Sequence, residues 1–225
     1  MRLGRRRAAG VLVAAWLASF ALFVVDERVA DLPATGDEPA HLQLAQSLWL
    51  DRDVDLRADE TDPARASAIV PGADRLVVDA RDFRGDGRLR PVYLPGTAVV
   101  LLPAVAASRA LDVPLLTAAR VEVAALAATA SVLLLVLAWE LAGGRRRAAL
   151  LAWASAVATV PLLPFASQVY PEAPALVLVT AALLALRRPP APLTAAVVAG
   201  AAAALPWLQV RFAVLAAAVV VAFAV

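Results

Sequence analysis

Long apolar runs separated by short polar connectors organise this chain, and one polar block interrupts them. The runs are Ala8 to Val25, Leu94 to Leu111, Leu116 to Leu141, Ala148 to Phe165, Ala173 to Leu186, Leu193 to Leu205 and Phe212 to Val225. A helix that crosses the hydrocarbon of a bilayer needs ~20 mostly apolar residues. Several runs are of that order, so the pattern predicts an all-α protein of polytopic transmembrane helices. The last run is too short to span untilted and ends without a polar stop, so the chain is expected to continue past Val225. The polar block, from Asp26 to Arg90, carries most of the charge, and acids outnumber arginines in it. An acidic block inside an apolar chain reads as an extramembrane loop rather than a nucleic-acid surface.

Arginine placement orients the runs. The first follows MRLGRRR, which resembles a signal peptide. It is longer than a usual signal core, and no small-x-small cleavage site precedes Asp26, so it reads as a retained anchor. Arg2 and Arg5 to Arg7 hold its start in the cytoplasm under the positive-inside rule. If Leu94 to Leu111 crossed fully, Arg145 to Arg147 would lie outside. Pro95, Pro103, Arg109 and Asp112 fit instead a re-entrant or interfacial helix, which returns that triplet to the cytoplasm. Counting onward, Arg187 and Arg188 are again internal, and the turns SQVYPEAP (Ser167 to Pro174) and PWLQVR (Pro206 to Arg211) are external. The divisions are 1–25, cytoplasmic tail and first transmembrane helix; 26–112, outer loop with juxtamembrane helices; and 113–225, transmembrane bundle. Asp37, Glu38, His41, Tyr170, Glu172 and Arg211 then share the outer side. Ionisable groups near membrane depth are costly and usually functional.

Composition sharpens the class. Of 225 residues, 62% are hydrophobic, against ~45–50% in soluble domains. There is no cysteine, which excludes disulfides and thiolate metal sites. Every basic residue is arginine and alanine is abundant, which points to a high-GC, bacterial coding sequence. No dinucleotide, Walker, GxSxG or zinc pattern is present. The acids of Asp51 to Asp62 alternate as in a calcium loop. They lack the glycine and glutamate of an EF-hand, and read as a solvated loop.

The stretch PATGDEPAHLQLAQSLWL, Pro33 to Leu50, holds the candidate chemistry. Pro39 suits the first turn of a helix, which puts Asp37 or Glu38 at the N-cap, facing the positive end of the helix dipole. Leu42, Ala45 and Trp49 share one face with Leu48 beside them. Gln43, Gln46 and Ser47 lie away from it, so the helix is expected to be amphipathic and to lie on the membrane.

One apolar span, then an outer loop opening with Asp-Glu, then juxtamembrane helices, resembles the start of the GT-C glycosyltransferases. These polytopic enzymes include protein O-mannosyltransferases and aminoarabinose transferases. VYLPGTAVVLLPA (Val92 to Ala104) resembles a segment that opens a juxtamembrane helix in family 39-like members. SQVYPEAPALVLV (Ser167 to Val179) resembles their Tyr-Pro-Glu turn, and LPWLQVRFAVLA (Leu205 to Ala216) a later Pro-Trp-x-x-x-Arg segment. The familiar form has histidine directly after the proline, whereas Ala40 precedes His41 here. The resemblance implies an inverting transferase that uses a sugar on polyprenyl phosphate, at the outer face of a bacterial plasma membrane. The acceptor would be a glycan, a lipid or a protein, with membrane lipids as neighbours and no nucleic acid. A hydroxyl attacks the anomeric carbon, a base takes its proton, and a cation steadies the departing phosphate.

Asp37 and Glu38 are the catalytic candidates, Asp37 first as general base. Arg211 is the candidate phosphate ligand, since a guanidinium holds phosphate bidentately, or else a snorkelling arginine. Glu172 binds acceptor or metal, or caps the helix after Pro171. His41 orients Asp37 or helps hold a divalent metal. Tyr93 and Tyr170 are substrate contacts or members of the interfacial aromatic belt. Two other classes remain open: a secondary transporter, which calls for inverted repeats around a midplane site, and a non-catalytic assembly subunit using the acidic loop as a docking surface.

Overall fold

The structure, a computed structural model, describes residues 5–24, 34–160 and 162–224. Arg2, Val25, Asp26 and Val225, at the expected boundaries of anchor, loop and last run, lie outside them. The fold is all-α. Its helices are α1 (Arg5–Val24), α2 (Glu38–Leu50), α3 (Arg57–Thr61), α4 (Pro63–Ile69), α5 (Gly96–Val100), α6 (Leu102–Leu111), α7 (Leu115–Leu141), α8 (Arg146–Val157), α9 (Leu162–Phe165), α10 (Glu172–Leu186), α11 (Pro192–Leu208) and α12 (Ala213–Ala224). A 3₁₀ turn, Val210–Phe212, joins the last two. The sheet seen among the described residues is one antiparallel pair, β1 (Ala80–Arg81) and β2 (Arg90–Pro91), with Ala80 opposite Pro91.

Helix α7 is the axis. It has 27 residues, about 40 Å at 1.5 Å per residue. Among the described residues it is the one helix long and apolar enough to cross a membrane; the apolar stretches of α1, α6, α10 and α11 are shorter. Helices α1, α6, α8 and α10 pack on it, α11 packs on α10, and α12 on α11. The buried face of α7 is built from Ala119, Val123, Ala124, Ala127, Ala128 and Ser131. Small side chains let helix backbones approach closely, which matters where lipid removes the hydrophobic drive for helix association. Ser131 is the polar member of that face. Its hydroxyl is 2.7 Å from that of Ser19 on α1 and accepts from Trp153 Nε1 on α8 at 2.9 Å. Trp16 Nε1 donates to Thr129 Oγ1 nearby.

Ion pairs mark the two ends of α7. At its C-terminal end Glu140 binds Arg187 and Arg188, which follow α10. At its N-terminal end Arg120 binds Glu38, and Glu38 also accepts from the backbone just before α10. Helices α7 and α10 therefore run parallel, and α8 with α9 makes the return between them.

Three sequence expectations change in detail. The run Leu94 to Leu111 is not one helix but α5 and α6, neither long enough to span. Ala148 to Phe165 is also interrupted, ending as α8 at Val157 and resuming as the single turn α9 at Leu162. The sequence TVPLLP lies there, and a residue before proline is pushed out of the helical region. The third concerns α2. It does not lie open on a surface: Glu38 and every residue from Ala40 to Ser47 are buried. Residues 51–93 fold over its polar side as a cap. Gln43 Nε2 donates to the Leu76 carbonyl, and the Ser47 hydroxyl donates to the Asp53 carbonyl and carboxylate. Within the cap Arg65 ties together Asp51, Asp59 and Asp62. Leu56 and Ile69 of the cap join Leu42, Leu44, Leu101, Leu115 and Val169 in one continuous core.

Candidate functional site

Glu38 is fully buried and its carboxylate gathers three chain segments. Oε1 lies 3.3 Å from Arg120 Nε and accepts from the Val169 amide at 2.9 Å. Oε2 accepts from Arg120 Nη2 at 3.0 Å, from the Thr35 amide at 2.9 Å and from the Thr35 hydroxyl. Arg120 is itself only 3% exposed. Two buried charges satisfied in this way hold position, because separating them leaves a charge in a low-dielectric interior.

Asp37, next to it, has a different setting. It occupies the N-cap position of α2, yet its side chain makes no capping hydrogen bond. Instead Oδ1 accepts from Tyr93 Oη at 2.7 Å, and the carboxylate is half-buried. That hydrogen bond, with burial second, pushes the Tyr93 hydroxyl up to about 12, so it stays a donor at any physiological pH. His41 follows one turn later, its ring tilted against that of Tyr93 with centroids 5.3 Å apart. Burial drives the His41 imidazole down from 6.5 to about 4, with the Asp37 charge opposing. Its Nδ1 is buried without a hydrogen-bond partner.

Backbone contacts draw the remaining motifs to the same place. Gly36 has φ +54°, and a methyl there would collide with the Tyr170 hydroxyl, which donates to the Thr35 carbonyl at 3.3 Å. Gly96, of the Leu-Pro-Gly stretch, lies so close to α11 that a Cβ would meet the Leu208 amide nitrogen at 2.8 Å and the Trp207 carbonyl group closer still. Glu172, the first residue of α10, pairs with Arg211 of the 3₁₀ turn. Arg211 also stands 5.3 Å from the centroid of the Phe212 ring. Thus Asp37, Glu38, His41 and Tyr93 meet around the start of α2. Tyr170 joins them through Thr35 and Gly36, and Glu172, two residues after Tyr170, carries Arg211 with it.

Beside Glu172 opens a groove of about 230 Å³, lined by Leu162, Phe165, Leu176, Val179, Phe212 and Leu215. Its walls are almost wholly apolar, and its charged group is the Glu172 carboxylate. Oε2 of Glu172 is buried and lacks a hydrogen-bond partner. Thr97 Oγ1 and Gln209 Oε1, either side of the Gly96 to Leu208 contact, are buried and unpartnered too. Unmet buried polar groups cost roughly 1–3 kcal/mol each, and their presence around one junction marks it as a place to look for a ligand.

Sequence reasoning missed Arg120 and Glu122. Glu122 lies two residues on, with one carboxylate oxygen buried and without a hydrogen-bond partner. The signal was present: two ionisable residues, two positions apart, inside an otherwise apolar run. Among the described residues no group of three or more histidine and carboxylate side chains could hold a metal ion. His41 and Asp37 share one site, but no third ligand joins them.

No protein-family model, no curated protein and no solved structure matches the chain.

Proposed function

We propose that the chain is a multi-pass membrane glycosyltransferase of the GT-C kind. It would move a sugar from polyprenyl phosphate to a hydroxyl acceptor at the outer face of the plasma membrane. Two observations carry this reading: a partly exposed carboxylate held by a phenol, and a cation paired with the carboxylate that lines an apolar groove. Asp37 is fixed through one oxygen by a phenol that stays protonated. Arg211 is paired with Glu172, which lines a groove together with Leu162, Phe165, Val179 and Phe212.

In this reading the prenyl chain lies along the groove and its phosphate meets Arg211. A volume of about 230 Å³ is below the ~300–1,000 Å³ of a whole ligand pocket, so it holds only the head-proximal part of a chain. The acceptor oxygen attacks the anomeric carbon and its proton passes to the free Oδ2 of Asp37. The bond from that carbon to the phosphate oxygen breaks, and polyprenyl phosphate leaves with the electron pair. Displacement from the opposite face inverts the anomeric centre. A well-placed general base contributes typically ~10²–10⁴-fold. Glu38, fully buried with its oxygens already engaged, positions the segments that carry Asp37 and Tyr170 rather than meeting substrate.

The test is Asp37→Asn in the full chain, in membranes of a strain that lacks the native copy. Envelope glycan is followed by mass spectrometry. Loss of a glycan product with normal membrane insertion supports the enzyme; an unchanged glycan profile refutes it.

A further inference from the structure

Arg211 forms an ion pair with Glu172, which lines the apolar groove. Both are partly open to solvent, with side chains 60% and 28% exposed. One oxygen of Glu172 binds the guanidinium; the other is buried against the groove with nothing to bind. A carboxylate lining an apolar cavity while holding the cation at its edge has the charge and reach of an anionic headgroup above a lipid tail. We propose that Glu172 is a displaceable stand-in for such a headgroup. It holds Arg211 until the phosphate of a single-chain lipid takes its place.

Charge complementarity selects the occupant. The walls, from Leu162 to Leu215, suit a flexible hydrocarbon. A neutral lipid would leave Arg211 with Glu172, and a cationic one would have to compete with Arg211 for that carboxylate. Only an anion gains by taking the guanidinium. A phosphate offers more acceptor oxygens than a carboxylate in the bidentate geometry arginine prefers. Exchange is easy, because exposed ion pairs are worth little. Glu172 is also the first residue of α10, where the helix dipole favours a carboxylate without help from Arg211. It therefore has a resting place when the guanidinium is taken. The inference rests on the lipid-donor reading above and adds a competitor to it.

The experiment measures binding of farnesyl phosphate and of farnesol to the full chain in phosphatidylcholine nanodiscs. The proteins are the parent, Glu172→Gln, Glu172→Ala and Arg211→Gln. Both Glu172 variants should tighten farnesyl phosphate by roughly two- to five-fold, the scale of an exposed ion pair, with farnesol unchanged. Arg211→Gln should weaken farnesyl phosphate by roughly ten-fold or more, the scale of a hydrogen bond to a charged group. If Arg211→Gln weakens it but neither Glu172 variant tightens it, the stand-in is overturned and the donor reading stands. If Arg211→Gln changes nothing, the donor reading itself fails at this groove. Farnesol binding and a monodisperse elution profile establish that each variant is folded.

Discussion

Replacing Glu38 with Gln, which keeps the shape and removes the charge, tests whether the two neighbouring carboxylates have separate roles. Glu38 has no exposed surface and Arg120 almost none. Removing one member of a buried ion pair costs roughly 3–5 kcal/mol. For a chain of this length 1 kcal/mol corresponds to about 2–4 °C in Tm, so Glu38→Gln should melt about 6–20 °C below the parent in detergent. Glu38→Ala should fall further, because the Val169 and Thr35 amides then also lose their acceptor. Asp37→Asn loses only the charge on a single accepted hydrogen bond, about 1 kcal/mol, and should melt within about 4 °C of the parent. Arg120→Met completes a cycle. If Glu38 and Arg120 act on one another, the double variant should be less damaged than the sum of the singles, by roughly 0.5–3 kcal/mol. The assay is thermal unfolding followed by tryptophan fluorescence. Glu38→Gln melting with Asp37→Asn, or strictly additive losses in the cycle, would refute the organising role.

Other outcomes follow from the same geometry. The folded state keeps His41 neutral down to about 4, while the unfolded chain takes up its proton near 6.5. This stability is therefore present above 6.5 and drains away as pH falls toward 4. The whole loss is about 3 kcal/mol at 1.36 kcal/mol per unit, and His41→Gln should flatten Tm against pH across that window. Gly96→Ala, with ordinary backbone angles but no room beside Trp207 and Leu208, should lower Tm more than an exposed alanine substitution at Gly200, where a methyl meets nothing. The chain has no native cysteine, so topology can be read by single-cysteine labelling. Asp82→Cys and Val210→Cys should react with an impermeant maleimide in intact cells, and Arg147→Cys and Arg188→Cys only after permeabilisation. Labelling of all four in intact cells would contradict the membrane arrangement.

Much of the fold was legible because apolar runs of this length have few alternatives. Pro95 and Pro103 also marked Leu94 to Leu111 as a stretch that would not form one spanning helix, and it forms α5 and α6. The fate of α2 was not legible. Gln43, Gln46 and Ser47 read as a water-facing side, and only the fold of residues 51–93 over them turns that side inward. Long-range pairing of this sort leaves no periodic trace. The same holds for the site. Asp37 beside Glu38 is visible in sequence, but nothing local says that one would be sealed against Arg120 and the other left to Tyr93. Arg120 was hidden by its surroundings, since a run that is apolar on average conceals the charge it was built around.

Glu38 also sets a timetable. It leaves the ribosome 131 residues before Val169, one of the groups it must hold. At ~5–20 residues per second that is an interval of roughly 7–26 s. For the later part of it the acidic cap is complete while Val169 is still untranslated. Burial of the Glu38 carboxylate therefore waits on α7 and on the turn before α10. A chain in which α7 or the turn before α10 failed to pack would leave that carboxylate bare, a buried charge without its partner.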